Sequence, residues 1–288
     1  MNKPSARTLQ VGSPLLLSSG VMGKARARRQ AKLRREKIAA AQRRATEGPL
    51  PDFVVLGTQK GGTSFFYRLL TEHPLVRGAA AKELHFFDNK FAEGVGWYRR
   101  CFSEGERVEE QRTITGEASP SYIFDPQVPE RMARIVPDAR LIALLRNPVD
   151  RAYSHYQMEV RRGKESRSFE EATQEEMISA EGEGNTVDLR YAYLRRGLYA
   201  ELLERFPFFA NRDRLLVVKS ENLFTRRFEV LDRVLRFLRL PPFESTLASP
   251  AGMATYEPMD PDTRRRLEGF FAPHNERLYD LLSTDFGW

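Results

Sequence analysis

One junction restricts what this chain can fold into more than any other. Phe53-Val54-Val55-Leu56 is a short apolar run, and Gly57-Thr58-Gln59-Lys60-Gly61-Gly62-Thr63-Ser64 is a glycine-rich loop. From Thr63 to Glu72, Phe65, Phe66, Leu69 and Leu70 then recur at helical spacing until His73-Pro74 stops them. A buried strand feeding a helix through such a loop turns the backbone tightly, points successive N–H groups at one anion and adds the positive end of the helix. The expectation is a phosphate cradle. Against the pattern G-x-x-x-x-G-K-[ST], Gly57, Gly62 and Ser64 fit, but Thr63 stands at the lysine position and the lysine has moved back to Lys60. A nucleoside-triphosphate enzyme uses that lysine on the β- and γ-phosphates, usually with magnesium. A loop with its ammonium on the crest suits a shorter anionic donor.

Further strands and helices alternate behind this junction. Leu141-Ile142-Ala143-Leu144-Leu145 reads as a second buried strand, followed by a helix from Pro148 to near Arg162 capped by Asn147. Leu215-Leu216-Val217-Val218 is a third, before a helix from near Phe228 to Leu238. Thr113-Ile114-Thr115-Gly116 is a weaker strand, and helical stretches are expected near Phe169 to Ala180, from Tyr191 to Phe206, and from Pro261 to Leu282 with a kink at Pro273. Continuous apolar strands separated by helices predict an α/β fold, a P-loop-like, mainly parallel sheet flanked by helices. The 288 residues, 41% hydrophobic, suffice for one main domain over residues 51–288.

Residues 1–50 form a basic leader in which Lys24 to Arg44 carries ten Lys or Arg against Glu36. It reads as a frayed, solvated segment, or as a basic helix touching RNA, acidic lipid or a partner. Because no apolar run approaches the roughly 18 residues of a membrane span and Pro14-Leu15-Leu16-Leu17 is short for a secretory core, a cytoplasmic protein is expected. Cys101 is the single cysteine, and His73, His85, His155 and His274 lack metal-ligand spacing, so neither a disulfide framework nor a metal is expected. The net charge of +7 points to anionic ligands.

The loop Thr58-Gln59-Lys60-Gly61-Gly62-Thr63-Ser64 resembles the 5′-phosphosulfate loop of sulfotransferases that use 3′-phosphoadenosine 5′-phosphosulfate (PAPS). Lys82-Glu83-Leu84-His85-Phe86-Phe87-Asp88 and Gly116-Glu117-Ala118-Ser119-Pro120-Ser121-Tyr122 are similar to segments of the heparan sulfate branch, and Arg146 to Ser154 to its 3′-phosphate segment. Gly197-Leu198-Tyr199 and Tyr256-Glu257-Pro258-Met259-Asp260 match more loosely, and the likeness spans roughly residues 52 to 288. It implies transfer of a sulfuryl group from PAPS, without a metal, to a hydroxyl-bearing small molecule, lipid or glycan, with no obligatory nucleic acid. It further implies Glu83 as general base, with His85 competing for that role, and Lys60 beside the bridging oxygen. Gly61, Gly62, Thr63 and Ser64 would hold the 5′-phosphate, Arg146 and Ser154 the 3′-phosphate, and Tyr256 would stack on the adenosine end. Lys82 would contact an anionic acceptor or the sulfuryl oxygens. Glu117 is either near the acceptor or a plain surface acid.

The departures from that branch bear on the acceptor. Ala118 replaces a lysine, Gly252-Met253-Ala254-Thr255 lacks the basic residues of the loop before the late tyrosine, and the cysteine pair is missing. Arg195 and Arg196 are alternative holders of the adenosine end. These changes favour a cytosolic enzyme for a small or lipid-like hydroxyl over a secreted polysaccharide enzyme. Two other classes compete: a P-loop kinase of a nucleotide or small molecule, which needs a lysine at position 63, and an RNA- or membrane-binding module, which leaves the loop, Glu83 and Arg146 unexplained.

Overall fold

The computed structural model describes residues 48–102, 112–181, 191–207, 213–248 and 256–288. The basic run from Lys24 to Arg44 and the segment Gly252 to Thr255 lie outside them. Five parallel strands, β1 (Phe53–Gly57), β2 (Val76–Gly78), β3 (Ile114–Ala118), β4 (Arg140–Leu145) and β5 (Leu215–Lys219), form one sheet in the order β2-β3-β1-β4-β5. The glycine-rich loop therefore leaves the middle of the sheet, with Phe53 paired to Gly116 on one side and to Arg140 on the other.

Successive strand residues face opposite sides, and both sides are covered. Phe53, Val55, Ile142, Leu144, Leu216 and Val218 pack on one face against α1 (Thr63–Glu72) and the later helix α8 (Arg227–Leu238), through Phe66, Leu70, Val234 and Leu235. Val54, Leu56, Leu141, Ala143 and Leu145 meet Phe86, Phe87, Trp97 and Tyr98 on the other, with Met132, Leu202 and Leu278. These come from the 82–88 segment and from α2 (Gly94–Arg100), α3 (Val128–Ile135), α6 (Tyr199–Glu204) and α9 (Pro261–Leu282). A third cluster joins α4 (Pro148–Arg161), α5 (Phe169–Glu181) and α9 through Val149, Ala152, Phe169, Leu267 and Phe271. The short α7 (Asn222–Thr225) leads into α8.

Where the sequence pattern was strong, elements appear as expected. Asn147 caps α4, its side chain accepting hydrogen bonds from Val149 N and Asp150 N. Pro273 removes one N–H from α9 but does not end it. The helix expected from Tyr191 to Phe206 shrinks to Tyr199–Glu204, preceded by a single 3-10 turn at Arg195–Gly197. Side chains take the backbone groups that a helical ladder would use: Arg151 donates to the Tyr193 carbonyl, and Glu176 accepts from Leu194 N at 2.8 Å and Arg195 N at 2.9 Å. Strand β2 and helices α2, α3 and α7 carry too few periodic residues to announce themselves.

Candidate active site at the C-terminal edge of the sheet

The loop after β1 is held by its neighbours on both flanks. Thr58 N donates to Leu144 O at 2.6 Å, Ser220 Oγ to Gly61 O at 2.6 Å and an Arg146 Nη to Lys60 O at 3.1 Å. The carbonyls of Lys60 and Gly61 are thereby taken, and the first N–H groups of α1, like those of any helix, have no intrahelical acceptor. A Cβ on Gly61 would lie 3.0 Å from Thr58 O and 3.1 Å from Leu144 O, while Gly62 takes φ +82° to turn the chain into α1. Thr63 is buried at the start of α1 and Ser64 is exposed beside it.

The cations around this cradle exceed the anions that face them. Burial first, then the charges of Arg161, Arg146 and Arg162, bring the Lys60 ammonium down to about 8, with Glu159 opposing. Arg146 does not pair with Asp150, which binds Arg264 at 2.6 Å instead. Ser154 is buried on α4 next to His155, whose imidazole is pushed down to about 2 by burial and by the charges of Arg151, Arg196, Lys60 and Arg162. An excess of positive charge beside a glycine-rich loop at a helix start fits a group bearing several phosphate-type charges.

At the other end of the site the charges are paired. Lys82 Nζ lies 2.7 Å from Glu83 Oε1, His85 Nε2 lies 3.7 Å from Glu83 Oε2, and His85 Nδ1 lies 2.9 Å from Asp88 Oδ2. Ser121 Oγ donates to Asp88 at 2.5 Å. Burial alone raises the Glu83 carboxyl, but the neighbouring His85 and Lys82 outweigh it and bring it down to about 2. For His85 burial is likewise outweighed, here by Asp88 and Glu83, and the imidazole rises to about 9. At neutral pH this is a carboxylate, an imidazolium and a second carboxylate in series.

Backbone conformation picks out the same residues. Among the described residues, five non-glycine residues have positive φ: Lys60, Glu83, His85, Arg239 and Ser283. The last two are helix C-caps, where the left-handed conformation is ordinary. The other three have no such excuse, and strain of roughly 1–3 kcal/mol each collects where function demands it.

Glu117 is corrected on both expected counts. Its carboxyl is fully buried, accepting from Tyr98 OH at 2.7 Å, Ser119 Oγ at 2.9 Å and Tyr122 OH at 3.0 Å, so it is neither a surface acid nor able to touch an acceptor. Burial pushes it above the usual carboxylate range. Ala118 is buried beside it. Tyr256 meets Tyr153 edge-on with ring centres 5.3 Å apart, and Tyr153 OH donates to Glu257 O. The Arg196 guanidinium lies 4.2 Å from the Phe124 ring centre and is pulled down to about 10, chiefly by burial. Sequence reasoning gave no role to Asp88, Ser121, Arg161 or Arg162. Asp88 and Ser121 stood inside quoted motifs, whereas nothing local tied the end of α4 to the loop.

Comparison with known proteins bears on the family and the fold. The family model described as "Sulfotransferase domain" matches residues 50–263. Heparan sulfate glucosamine 3-O-sulfotransferase 5 of Mus musculus is 29% identical, the alignment covering 83% of this chain and 74% of that protein. The membrane-associated sulfotransferase kil1 of Dictyostelium discoideum is 26% identical over 83% of this chain and 66% of its own length. A crystal structure of a sulfotransferase from Alicyclobacillus acidocaldarius superposes with a TM-score of 0.64 at 32% identity, covering 83% of this chain and 98% of that one.

Proposed function

The chain belongs to the sulfotransferase family, and on that premise we propose that it moves a sulfuryl group from PAPS to a hydroxyl acceptor by in-line transfer with Glu83 as general base. The observation that carries this reading is that the charges of Arg146, Arg161 and Arg162 bear on Lys60, in a loop that runs into the N-terminal end of α1. PAPS, when bound, supplies a sulfuryl group joined to a good leaving diphosphate. Gly61, Gly62, Thr63 and Ser64 hold its 5′-phosphate, Arg146 and Ser154 its 3′-phosphate, and Tyr256 faces its adenosine end. Lys60 neutralises the charge that grows on the bridging oxygen as the sulfur–oxygen bond breaks. Glu83 takes the hydroxyl proton as the acceptor oxygen bonds to sulfur, and Lys82 turns from Glu83 toward the sulfuryl oxygens, which raises the proton affinity of the carboxylate.

His85 is the weaker candidate for the base, since an imidazole raised to about 9 already carries its proton at neutral pH. It orients Glu83 instead. The name of the mouse relative supports a glycan hydroxyl as acceptor, while buried Ala118 in place of a lysine supports a less anionic one. Action in the cytoplasm is part of the proposal, and cell fractionation tests it. Calorimetry of 3′-phosphoadenosine 5′-phosphate (PAP) against ATP with magnesium tests the donor. Tighter binding of PAP is expected; tighter binding of ATP would turn the reading toward a kinase.

A further inference from the structure

The buried carboxylate of Glu117 touches no solvent, yet it sits at the root of the segment that carries Glu83. Ser119 Oγ donates to Glu117 Oε2 and accepts from His85 N at 3.2 Å. Tyr122 OH donates to Glu117 Oε1 and accepts from Phe86 N at 2.8 Å and Phe87 N at 3.3 Å. A hydroxyl has one proton and accepts through its lone pairs, so a partner that fixes the direction of the proton also fixes where backbone N–H groups are received. Glu117 fixes both, and Tyr98 OH occupies a further lone pair at 2.7 Å. Three consecutive amides, His85 to Phe87, are thus pinned to one carboxylate through two hydroxyls. They follow directly on the left-handed residues Glu83 and His85, a conformation that persists only where its surroundings over-determine it.

We propose that Glu117 is a positioning residue for the transfer reaction: acting through Ser119 and Tyr122, it holds the 83–87 turn so that the Glu83 carboxylate is presented to the acceptor beside His85. The proposal rests on the reading of Glu83 as base. Tyr122 and Ser119 share the positioning role, and the hydrogen bonds that hold the donor loop run to β4, Arg146 and Ser220 rather than to either hydroxyl.

The test needs no acceptor. Histidine ring signals of the full chain, followed by NMR against pH, report how closely Glu83 and Asp88 approach His85. Tyr122→Phe removes the hydroxyl without changing any charge. The His85 value is expected to fall from about 9 toward the ordinary imidazole value of roughly 6.5, while the PAP dissociation constant stays within about twofold. Glu117→Gln should do the same, because an amide offers one acceptor oxygen where the carboxyl group offers two to Tyr98, Ser119 and Tyr122. In a Glu83→Gln background the part of the shift that comes through Glu83 vanishes and only the part through Asp88 remains, so Tyr122→Phe should then move His85 less. A purely structural role would lower the melting temperature but leave the His85 titration of the folded chain alone; an unmoved His85 in Tyr122→Phe overturns the inference. Failure of wild-type chain to bind PAP would instead strike the donor reading, leaving the His85 result to be judged separately.

Discussion

Around Lys60 the charges of Arg146, Arg161 and Arg162 repeat its own sign and Glu159, paired with Arg162 at 2.7 Å, opposes them, whereas around Glu83 each charge sits beside its opposite, in the order Lys82, Glu83, His85, Asp88. The two ends of the candidate site are prepared differently. Like charges held together by a loop are relieved when an anion enters, so under the proposed function that end serves affinity. Charges already paired gain little from a ligand but hold their groups in one orientation, so that end is built for geometry. Substitutions should therefore separate binding from turnover according to the end they touch.

The largest effect is expected on the acceptor side. Glu83→Gln should lower transfer by about 10²- to 10⁴-fold, the usual range for a general base, while leaving PAP affinity nearly unchanged. Unchanged turnover in steady-state assays with PAPS would move the base to His85. On the donor side, Lys60→Ala and Arg146→Ala should each weaken PAP by roughly 10- to 100-fold in calorimetry, as expected for losing a hydrogen bond to a charged group. Equal effects of these substitutions and Glu83→Gln on PAP binding would erase the contrast between the ends.

The pH dependence should also split. With Lys60 lowered to about 8, PAP affinity should decline above that pH, at most about tenfold per pH unit, as the ammonium of the free chain is lost. Stability responds in opposite senses at the two ends. His85 keeps to about 9 a proton that the unfolded chain releases near 6.5, so its contribution is full below 6.5 and disappears as pH rises through 9. Lys60 releases its proton near 8 in the folded chain and near 10.5 in the unfolded one, so its contribution to stability increases across that window. Thermal melts of wild type against His85→Gln and Lys60→Met across pH would expose the two signs. The smallest effect belongs to Arg264→Ala, which breaks a part-exposed pair with Asp150 worth about 0–1 kcal/mol. PAP affinity should not change, because Arg146 does not depend on Asp150.

Legibility in the sequence tracked the range of the interaction. The strand–loop–helix junction, the Asn147 cap and the three strong strands depend on residues within a turn or two of each other, and all stand where the pattern put them. The stretch from Tyr191 to Phe206 was misjudged because Arg151 and Glu176, distant in sequence, claim its backbone. Glu117 was misjudged for the same reason: a polar residue at the end of a weak strand gives no sign that Tyr98, Ser119 and Tyr122 will close over it.

By itself, the sequence determined a parallel α/β sheet and a glycine-rich loop between a buried strand and a helix, since apolar periodicity, glycine placement and helix capping are local preferences of the backbone. Tertiary structure alone decided that Lys60 would be crowded by cations from the far end of α4. It also decided that Glu83 and Asp88 would flank one imidazole and that a buried carboxylate would stand behind them. Electrostatic environment depends on distances in space, and those exist only once the strands have set their order.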